Sequence, residues 1–274
     1  MSKALHALES WNQIADQIRA AQHLALFTDF DGTLVRIQRH ASQVRLSARV
    51  RMLLESIAHS GVCVGVVSGR KINDVRNRVG LHHIWYAGVH GFFLLDPENH
   101  SMALLSPIQR SWIKEVKRAL ARQLAGVPGI RLEPKDATIA VHYRGAPSRS
   151  LYLAREGIRR VLKCHPEVSI LPGKKVWELL PDSTTDKWTA ISLILCRERK
   201  RNSTGTWLSI YLGDDATDEL VFQKMEGISI AVGRKHSTSA RYFLRSPAEV
   251  SKFLLNLKKW KECDETSQSA VSIR

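Results

Sequence analysis

The sequence predicts an α/β protein built on a parallel sheet and interrupted by an α+β insert. Short apolar runs alternate with segments of helical periodicity in the first and last thirds of the chain. Between them the order changes to two helix–strand–strand repeats. Three apolar runs also end in polar clusters. We therefore expect one discontinuous domain, residues 1–106 and 183–274, and an inserted domain, residues 107–182.

Helices and buried strands alternate in the first part of the chain. Apolar residues at helical spacing predict the helices, and short apolar runs predict the strands. Two further runs separated by Asp96-Pro97-Glu98-Asn99 predict a hairpin. The predicted helices are 3–20, 47–59 and 72–79. The predicted strands are 24–27, 62–67, 84–87, 92–95 and 102–105.

The insert reads αββαββ, an order that suits a two-layer antiparallel module of the ferredoxin-like kind. After Pro181 the alternation of strand and helix returns. The tail 263–274 is polar and is expected to fray. The helices predicted beyond residue 106 are 112–124, 151–164, 187–197 and 219–225. The strands predicted there are 130–133, 138–143, 168–171, 176–180, 207–212 and 228–232.

Charge and composition limit the classes of function. The net charge of +15 suggests an anionic partner, such as nucleic acid, acidic lipid or a phosphorylated small molecule. The charge is spread along the chain, and we find neither an RNP-like aromatic motif nor zinc-finger spacing, so we expect no nucleic-acid partner. No apolar run reaches the roughly 18–20 residues of a membrane span. The polar amino-terminal segment does not resemble a signal peptide, so we expect a cytoplasmic protein.

The four cysteines give no metal or disulfide pattern. No two of them form a CxxC pair, which argues against a zinc site and a disulfide framework. We expect free thiols that are mostly buried.

Polar clusters follow three of the predicted strands: Asp29 with Asp31, then Ser68, then Asp214 with Asp215. The carboxyl ends of strands form the ligand crevice of an open parallel sheet, so these clusters could meet there. Carboxylates from two strand ends are hard oxygen ligands that suit Mg²⁺.

Such a cluster could transfer a phosphoryl group. One carboxylate could attack phosphorus and form an aspartyl-phosphate. The second, two residues on, could protonate the leaving oxygen and later deprotonate water. Ser68 offers a hydroxyl donor, and Lys187 could balance the charge of the transferring group.

A structural interpretation stays open for each residue taken alone. Asp29 and Asp31 could be loop or helix-capping residues, and Asp214 could be an N-cap. Lys187 could form a surface ion pair, with Asp182 or Ser183 capping its helix.

The ordered set resembles the haloacid dehalogenase superfamily of phosphotransferases. Asp29-Phe30-Asp31-Gly32-Thr33 is similar to its first motif and Ser68-Gly69-Arg70 to its second. Lys187 stands for the third motif, and the string GDDATDE at 213–219 for the fourth. The resemblance implies a Rossmann-like core, and the insert between the second and third motifs matches a C2-type cap.

Within that superfamily the chain most resembles the trehalose-6-phosphate phosphatases. The specific points are VSGR at 67–70, AGVHG at 87–91, the GDDATDE string, EPKDATIAVHYR at 133–144 and GKKVWELLP at 173–181. The resemblance covers about residues 22 to 245.

The resemblance implies a role for each matching residue. Asp29 would be the nucleophile and a Mg²⁺ ligand, and Asp31 the general acid/base that also binds the metal through its backbone carbonyl. Asp214 would be the third protein ligand, supported by Asp215 and Asp218. Ser68 and Lys187 would hold the phosphoryl oxygens. The expected substrate-binding residues are Arg70, His90, Glu133, Lys135, Arg144, Lys174 and Glu178.

The implied activity is hydrolysis of trehalose 6-phosphate to trehalose and phosphate, with a trehalose-phosphate synthase as a candidate partner in the same pathway. Two departures from the family pattern, Trp188 and Leu180, keep another sugar or glycosyl-polyol phosphate open as the substrate. A basic binding or sensor protein with a vestigial site is the non-enzymatic alternative.

Overall fold

The computed structural model describes residues 4–38, 44–173, 175–182, 185–233 and 237–271, with side chains as far as residue 262. The chain forms two compact units, Met1–Met102 with Thr185–Arg274, and Ala103–Thr184. The boundaries predicted from the sequence fall close to these. The catalytic and cap roles given to the two domains stay predictions.

Strands and helices follow in this order along the chain. The strands are β1 (Leu5–His6), β2 (His23–Asp29), β3 (Cys63–Val67), β4 (Trp85–Gly88), β5 (Phe93–Leu95), β6 (Ser101–Ala103), β7 (Arg131–Pro134), β8 (Ile139–His142), β9 (Val168–Gly173), β10 (Val176–Pro181), β11 (Trp207–Gly213), β12 (Ile228–Val232) and β13 (Tyr242–Leu244). The helices are α1 (Trp11–Arg19), α2 (Ala48–His59), α3 (Ile72–Val79), α4 (Pro107–Gln123), α5 (Ser148–Lys163), α6 (Lys187–Arg201), α7 (Ala216–Lys224) and α8 (Pro247–Val271).

A large sheet organises the first unit. Within the described residues it has nine strands, in the order β1-β13-β12-β11-β2-β3-β4-β5-β6. The seven strands from β1 to β4 in this order run parallel, and β5 pairs antiparallel with β4. The central strand β2 lies between β11 and β3, so the chain leaves it first to one side and later returns on the other. This confirms the predicted α/β fold with a parallel sheet and places the reversal of strand order beside β2.

The start of the chain differs from the prediction. Helical spacing predicted a helix over 3–20, but Leu5 and His6 form β1 and the helix begins at Trp11. Leu5 and His6 pair with Tyr242 and Phe243 in β13, and the amide of Leu5 donates to the carbonyl of Arg241. The sheet edge supplies hydrogen bonds to this backbone, and this tertiary pairing overrides the local helical pattern.

The end of the chain was also not predicted. Neither β13 nor α8 was assigned from the sequence, and the backbone of α8 stays helical to Val271 although fraying was expected from 263 onwards. Phe253, Leu254 and Leu257 of α8 are buried in the same core as α2 and the sheet. These buried residues of α8 therefore close one side of the core.

The second unit has the predicted αββαββ order. Its described strands form an antiparallel sheet in the order β7-β8-β10-β9. Ile139 and Val141 of β8 pack into a core with side chains of α4 and α5. Ala140 lies between them in sequence and pairs with Glu133 on one neighbouring strand and with Glu178 on the other. Since side chains alternate along a strand, the two glutamates share the face opposite the helices.

Two smaller findings complete the description. Cys164 and Cys196 are exposed, so the expectation of mostly buried thiols was wrong for these two. Among the described residues, no helix is both long enough and apolar enough to cross a membrane.

Replacing Phe253 tests whether α8 belongs to the core. Phe253 is fully buried and its ring packs edge-to-face on Trp11 at 5.6 Å. We expect Phe253→Ala to lower the free energy of unfolding by about 3–5 kcal/mol, measured by urea denaturation, because it leaves a cavity. Lys252→Ala, on the exposed side of the same helix, should change it by less than about 0.5 kcal/mol. Equal, small effects of both changes would contradict the packing of α8.

Candidate active site

Three strand ends bring the predicted catalytic residues to one edge of the large sheet. Asp29 is the last residue of β2, Ser68 directly follows β3, and Asp214 directly follows β11. These strands are parallel neighbours, with β2 in the middle. Their carboxyl ends therefore lie side by side, where open α/β sheets bind ligands.

Lys187 is the buried cation of this site. It is the first residue of α6 and is only 3% exposed, so the alternative of a surface ion pair was wrong. Its Nζ lies 2.9 Å from Oδ1 of Asp29 and 2.7 Å from Oδ1 of Asp218. Asp215 is also close, with its Oδ1 4.0 Å from the same nitrogen. Lys187 therefore links the carboxylate that ends β2 to the carboxylates of the fourth motif.

Asp218 is fixed by partners on three sides. Its Oδ1 accepts hydrogen bonds from Lys187 and from the hydroxyl of Tyr211, at 2.6 Å, and its Oδ2 accepts one from the amide of Asp215 at 2.9 Å. Asp215, not Asp214, is the N-cap of α7 and forms a capping box with Asp218. Asp218 thus joins a helix cap to the buried lysine.

Burial and charge shift the ionisation of these groups in different directions. Burial raises the pKa of Asp29, and the carboxylates of Asp218, Asp215 and Asp214 add to the rise against the opposing effect of Lys187. Burial would lower the pKa of Lys187, but its acidic neighbours, Asp218 foremost, hold it well above its usual value. The site therefore keeps lysine charged while its carboxylates repel one another.

A group of carboxylates at this edge suits a divalent metal ion. Oxygens of Asp29, Asp214 and Asp218 all lie within 4.8 Å of one another. Gly32, with φ of +95°, brings the loop after β2 so close to Asp214 that a Cβ there would collide with its carboxylate. Hard oxygen donors in this arrangement are the ligand type that Mg²⁺ and similar cations take. The side chain of Asp31 is not part of this group.

The carboxylate of Asp31 faces Arg70 instead. Nε and Nη2 of Arg70 donate to its two oxygens at 2.5 and 2.7 Å, and Nη1 of Arg70 donates to Asp74 at 2.9 Å. Burial would lower the pKa of Arg70, but these two carboxylates raise it above its usual value. This predicted substrate-binding residue thus donates its guanidinium hydrogens to Asp31 and Asp74.

The second motif is held by the turn after β4. The amide of Ser68 donates to the carbonyl of Ala87, and the amide of His90 donates to the carbonyl of Ser68. The ring of His90 lies over Gly69, where a Cβ would come 2.7 Å from it. Gly91, with φ of +102°, lies against the carbonyl of Asp186, where a side chain would not fit. The AGVHG segment therefore connects the second motif to the start of α6.

The predicted sugar-binding residues lie in the second unit. Glu178 is 5% exposed; its carboxylate accepts from Thr138 and pairs with Nζ of Lys135 at 2.9 Å. Glu133 pairs with His142 at 2.8 Å, and this hydrogen bond lowers the pKa of Glu133 to about 2 despite partial burial.

Two other predicted cap residues differ in their placement. Arg144 is exposed. Lys174 lies outside the described residues.

Three residues of these networks were missed in the sequence. Tyr211 reads as one apolar residue of a buried strand, and nothing in the pattern indicates its hydroxyl contact. Asp186, rather than Asp182, caps α6, by a capping box with Thr189, and Ser183 lies outside the described residues. Asp74 stands four residues after Arg70, a spacing that allows a charge pair on a helix and could have indicated it.

Comparison with solved structures defines the class of protein first. The C-terminal domain of trehalose-6-phosphate phosphatase from Candida albicans is similar with a TM-score of 0.79, 19% identity, and coverage of 94% of this chain and 98% of that one. The two chains therefore share a fold.

Sequence comparison then gives the family. The model of the trehalose-phosphatase family matches residues 27–248, and this chain belongs to that family. A rice protein named "Probable trehalose-phosphate phosphatase 4" (Oryza sativa subsp. japonica) is 32% identical, over 98% of this chain and 74% of its own length. Trehalose-phosphate phosphatase B of Arabidopsis thaliana is 29% identical, over 93% of this chain and 71% of its own length. The chain is a phosphatase.

Removing the buried cation tests the electrostatics of the site. Lys187→Met keeps most of the volume but leaves Asp29 and Asp218 buried without their partner. We expect it to lower the free energy of unfolding by about 3–5 kcal/mol in urea denaturation. Lys224→Met is the matched control, because Lys224 forms an exposed pair with Asp186 at 3.2 Å and should contribute less than about 1 kcal/mol. A Lys187→Met protein as stable as the wild type would show that these carboxylates are not held by the lysine.

Proposed function

We propose that this chain hydrolyses trehalose 6-phosphate to trehalose and phosphate, with Mg²⁺, through a phosphorylated Asp29. The observation that carries the proposal is the buried contact of Asp29 with Lys187 at a strand end, inside a group of carboxylates that suits a cation. The names of the relatives supply the sugar. A buried carboxylate beside a fixed ammonium group is the arrangement that an attack on a phosphate monoester needs.

Four side chains carry the proposed reaction. An oxygen of Asp29 attacks phosphorus, and the bond from phosphorus to the sugar oxygen breaks while Asp31 gives that oxygen a proton. Asp31 then takes a proton from water, whose oxygen attacks phosphorus and releases Asp29. Ser68 and Lys187 hold the phosphoryl oxygens during both transfers.

We assign the cation to Asp29, the backbone carbonyl of Asp31 and Asp214. Asp218 is close enough to join them, but its two oxygens already accept from Lys187, Tyr211 and the amide of Asp215. Together with Asp215 it therefore supports the site rather than binding the ion directly. Mg²⁺ would supply positive charge against the repulsion of the carboxylates and the phosphate. A magnesium ion, rather than another divalent cation, is part of the proposal.

We assign the sugar to a set of polar side chains. Glu133, Lys135 and Glu178 offer a mixture of donors and acceptors, as hydroxyl groups require. Glu133 and Glu178 stand in one row across the sheet of the second unit, which supports a common role. Arg144, Lys174, Arg70 and His90 complete the proposed set. A trehalose-phosphate synthase in the same pathway, and a cytoplasmic location, are further parts of the proposal.

Trp188 and Leu180 keep a second class of substrate open. Trp188 follows the buried lysine, and Leu180 stands on β10, at positions where the family pattern has other residues. Leu180 and Trp188 are both partly exposed. A related glycosyl phosphate would be hydrolysed by the same four catalytic side chains.

A panel of sugar phosphates assayed with Mg²⁺ tests the substrate. We expect the highest kcat/KM with trehalose 6-phosphate, measured as released phosphate. A clearly higher kcat/KM with another member would overturn the substrate while leaving the chemistry intact.

The Asp29→Asn variant, assayed on the best member of that panel, tests the chemistry. It should lose turnover by at least roughly 10³-fold, because the amide cannot replace the nucleophile. Its circular dichroism spectrum should match that of the wild type. Retained turnover would contradict the role of Asp29 and favour a binding or sensor protein.

A further inference from the structure

A charge network of Asp31, Arg70, Asp74 and Arg78 runs from the loop after β2 along α3. The guanidinium of Arg70 holds both oxygens of Asp31, and Nη1 of Arg70 donates to Oδ2 of Asp74. The other oxygen of Asp74 accepts from Nε of Arg78 at 2.8 Å. Arg78 in turn donates from Nη1 to the carbonyl of Val44 at 2.6 Å. Each carboxylate in this charge network thus contacts at least one arginine.

The contacts of Arg70 fix the orientation of its guanidinium group. A bidentate contact between guanidinium and carboxylate sets the plane and the direction of both groups. Arg70 is also held at its backbone, because its amide donates to Oγ of Ser68 and its carbonyl accepts from the amide of Val89. The guanidinium lies 5.7 Å from the centre of the Phe30 ring.

Replacing Asp74 would weaken this charge network without changing any of the reacting side chains. It lies in the first turn of α3 and pairs with Arg78, four residues later on the same helix, and with Arg70, which precedes the helix. Burial raises its pKa, but the hydrogen bonds from Arg78 and Arg70 lower it more. Asp74 is therefore a carboxylate held by two arginines at a distance from Asp29.

We propose that Asp74 is a positioning residue, which fixes Arg70 so that Arg70 holds the carboxylate of Asp31 in one orientation for proton transfer to the leaving oxygen. The inference rests on the proposed function, in which Asp31 is the acid and base. The orientation of Asp31 matters because a general acid must lie within reach of the oxygen that it protonates.

The leaving group provides the test. A sugar alkoxide is a poor leaving group and needs a proton as its bond to phosphorus breaks. The p-nitrophenolate ion leaves with little help. The kcat/KM value reports the steps up to formation of the phosphorylated enzyme. Misplacing the acid should therefore lower kcat/KM for the sugar phosphate and spare p-nitrophenyl phosphate.

The experiment compares Asp74→Asn with Asp16→Asn on both substrates. Asp16 is also a helical aspartate paired with an arginine, Arg19 at 2.7 Å, but on the exposed surface of α1. For Asp74→Asn we expect kcat/KM with trehalose 6-phosphate to fall about tenfold, a part of the roughly 10²–10⁴-fold that general acid–base catalysis contributes. With p-nitrophenyl phosphate it should stay within about twofold of the wild type. Asp16→Asn should match the wild type on both.

The melting temperature of Asp74→Asn, measured beside that of the wild type, confirms that the variant is folded. Equal losses of Asp74→Asn on both substrates, no loss on either, or a gain with the sugar phosphate would each overturn the inference while the proposed function stands. A wild type inactive on both substrates would overturn the proposed function and this inference with it.

Discussion

The structure of this site depends on one charged lysine held in the interior. Lys187 would lose its proton if it were merely buried, and Asp29 and Asp218 keep it charged. Asp29, Asp215 and Asp218 lie within 4.0 Å of this ammonium group, and Asp214 lies beside Asp29 and Asp218. Acidic groups therefore outnumber the lysine in the described site. A divalent cation would offset the excess, which is the physical reason why the family's chemistry and a metal belong together here.

The strand order, the cap of α6 and two glycines position Lys187 and its neighbours. The parallel order of β11, β2 and β3 brings three strand ends together. The capping box of Asp186 starts α6 so that its first residue points into the core. Gly91 lets the segment after β4 lie against that cap, and Gly32 lets the loop after β2 lie against Asp214. The residues of the site are therefore far apart in sequence but close in space, because the sheet topology brings their strand ends together.

The strand ends could be read from the sequence because the rule behind them is local. A buried apolar run that stops at a polar residue places that residue at the end of a strand, so the positions of Asp29, Ser68 and Asp214 could be predicted. Arg70 was assigned to the substrate from its motif alone, while its fork onto Asp31 depends on where two loops meet. Tyr211 could not be found, since a tyrosine in a buried strand looks like any other large apolar residue. The assignment of Leu5 and His6 to a helix was wrong because their partner strand lies more than 230 residues away in sequence.

Phosphorylation of Asp29 is tested by identifying the residue that carries the phosphoryl group during turnover. The enzyme would be mixed with trehalose 6-phosphate and Mg²⁺, quenched in acid within a single turnover, digested and examined by mass spectrometry. We expect one phosphoryl group on the peptide that contains Asp29, at the side chain of Asp29, and none in a sample without substrate. A phosphoryl group on another residue, or turnover with none on the protein at any quench time, would contradict it.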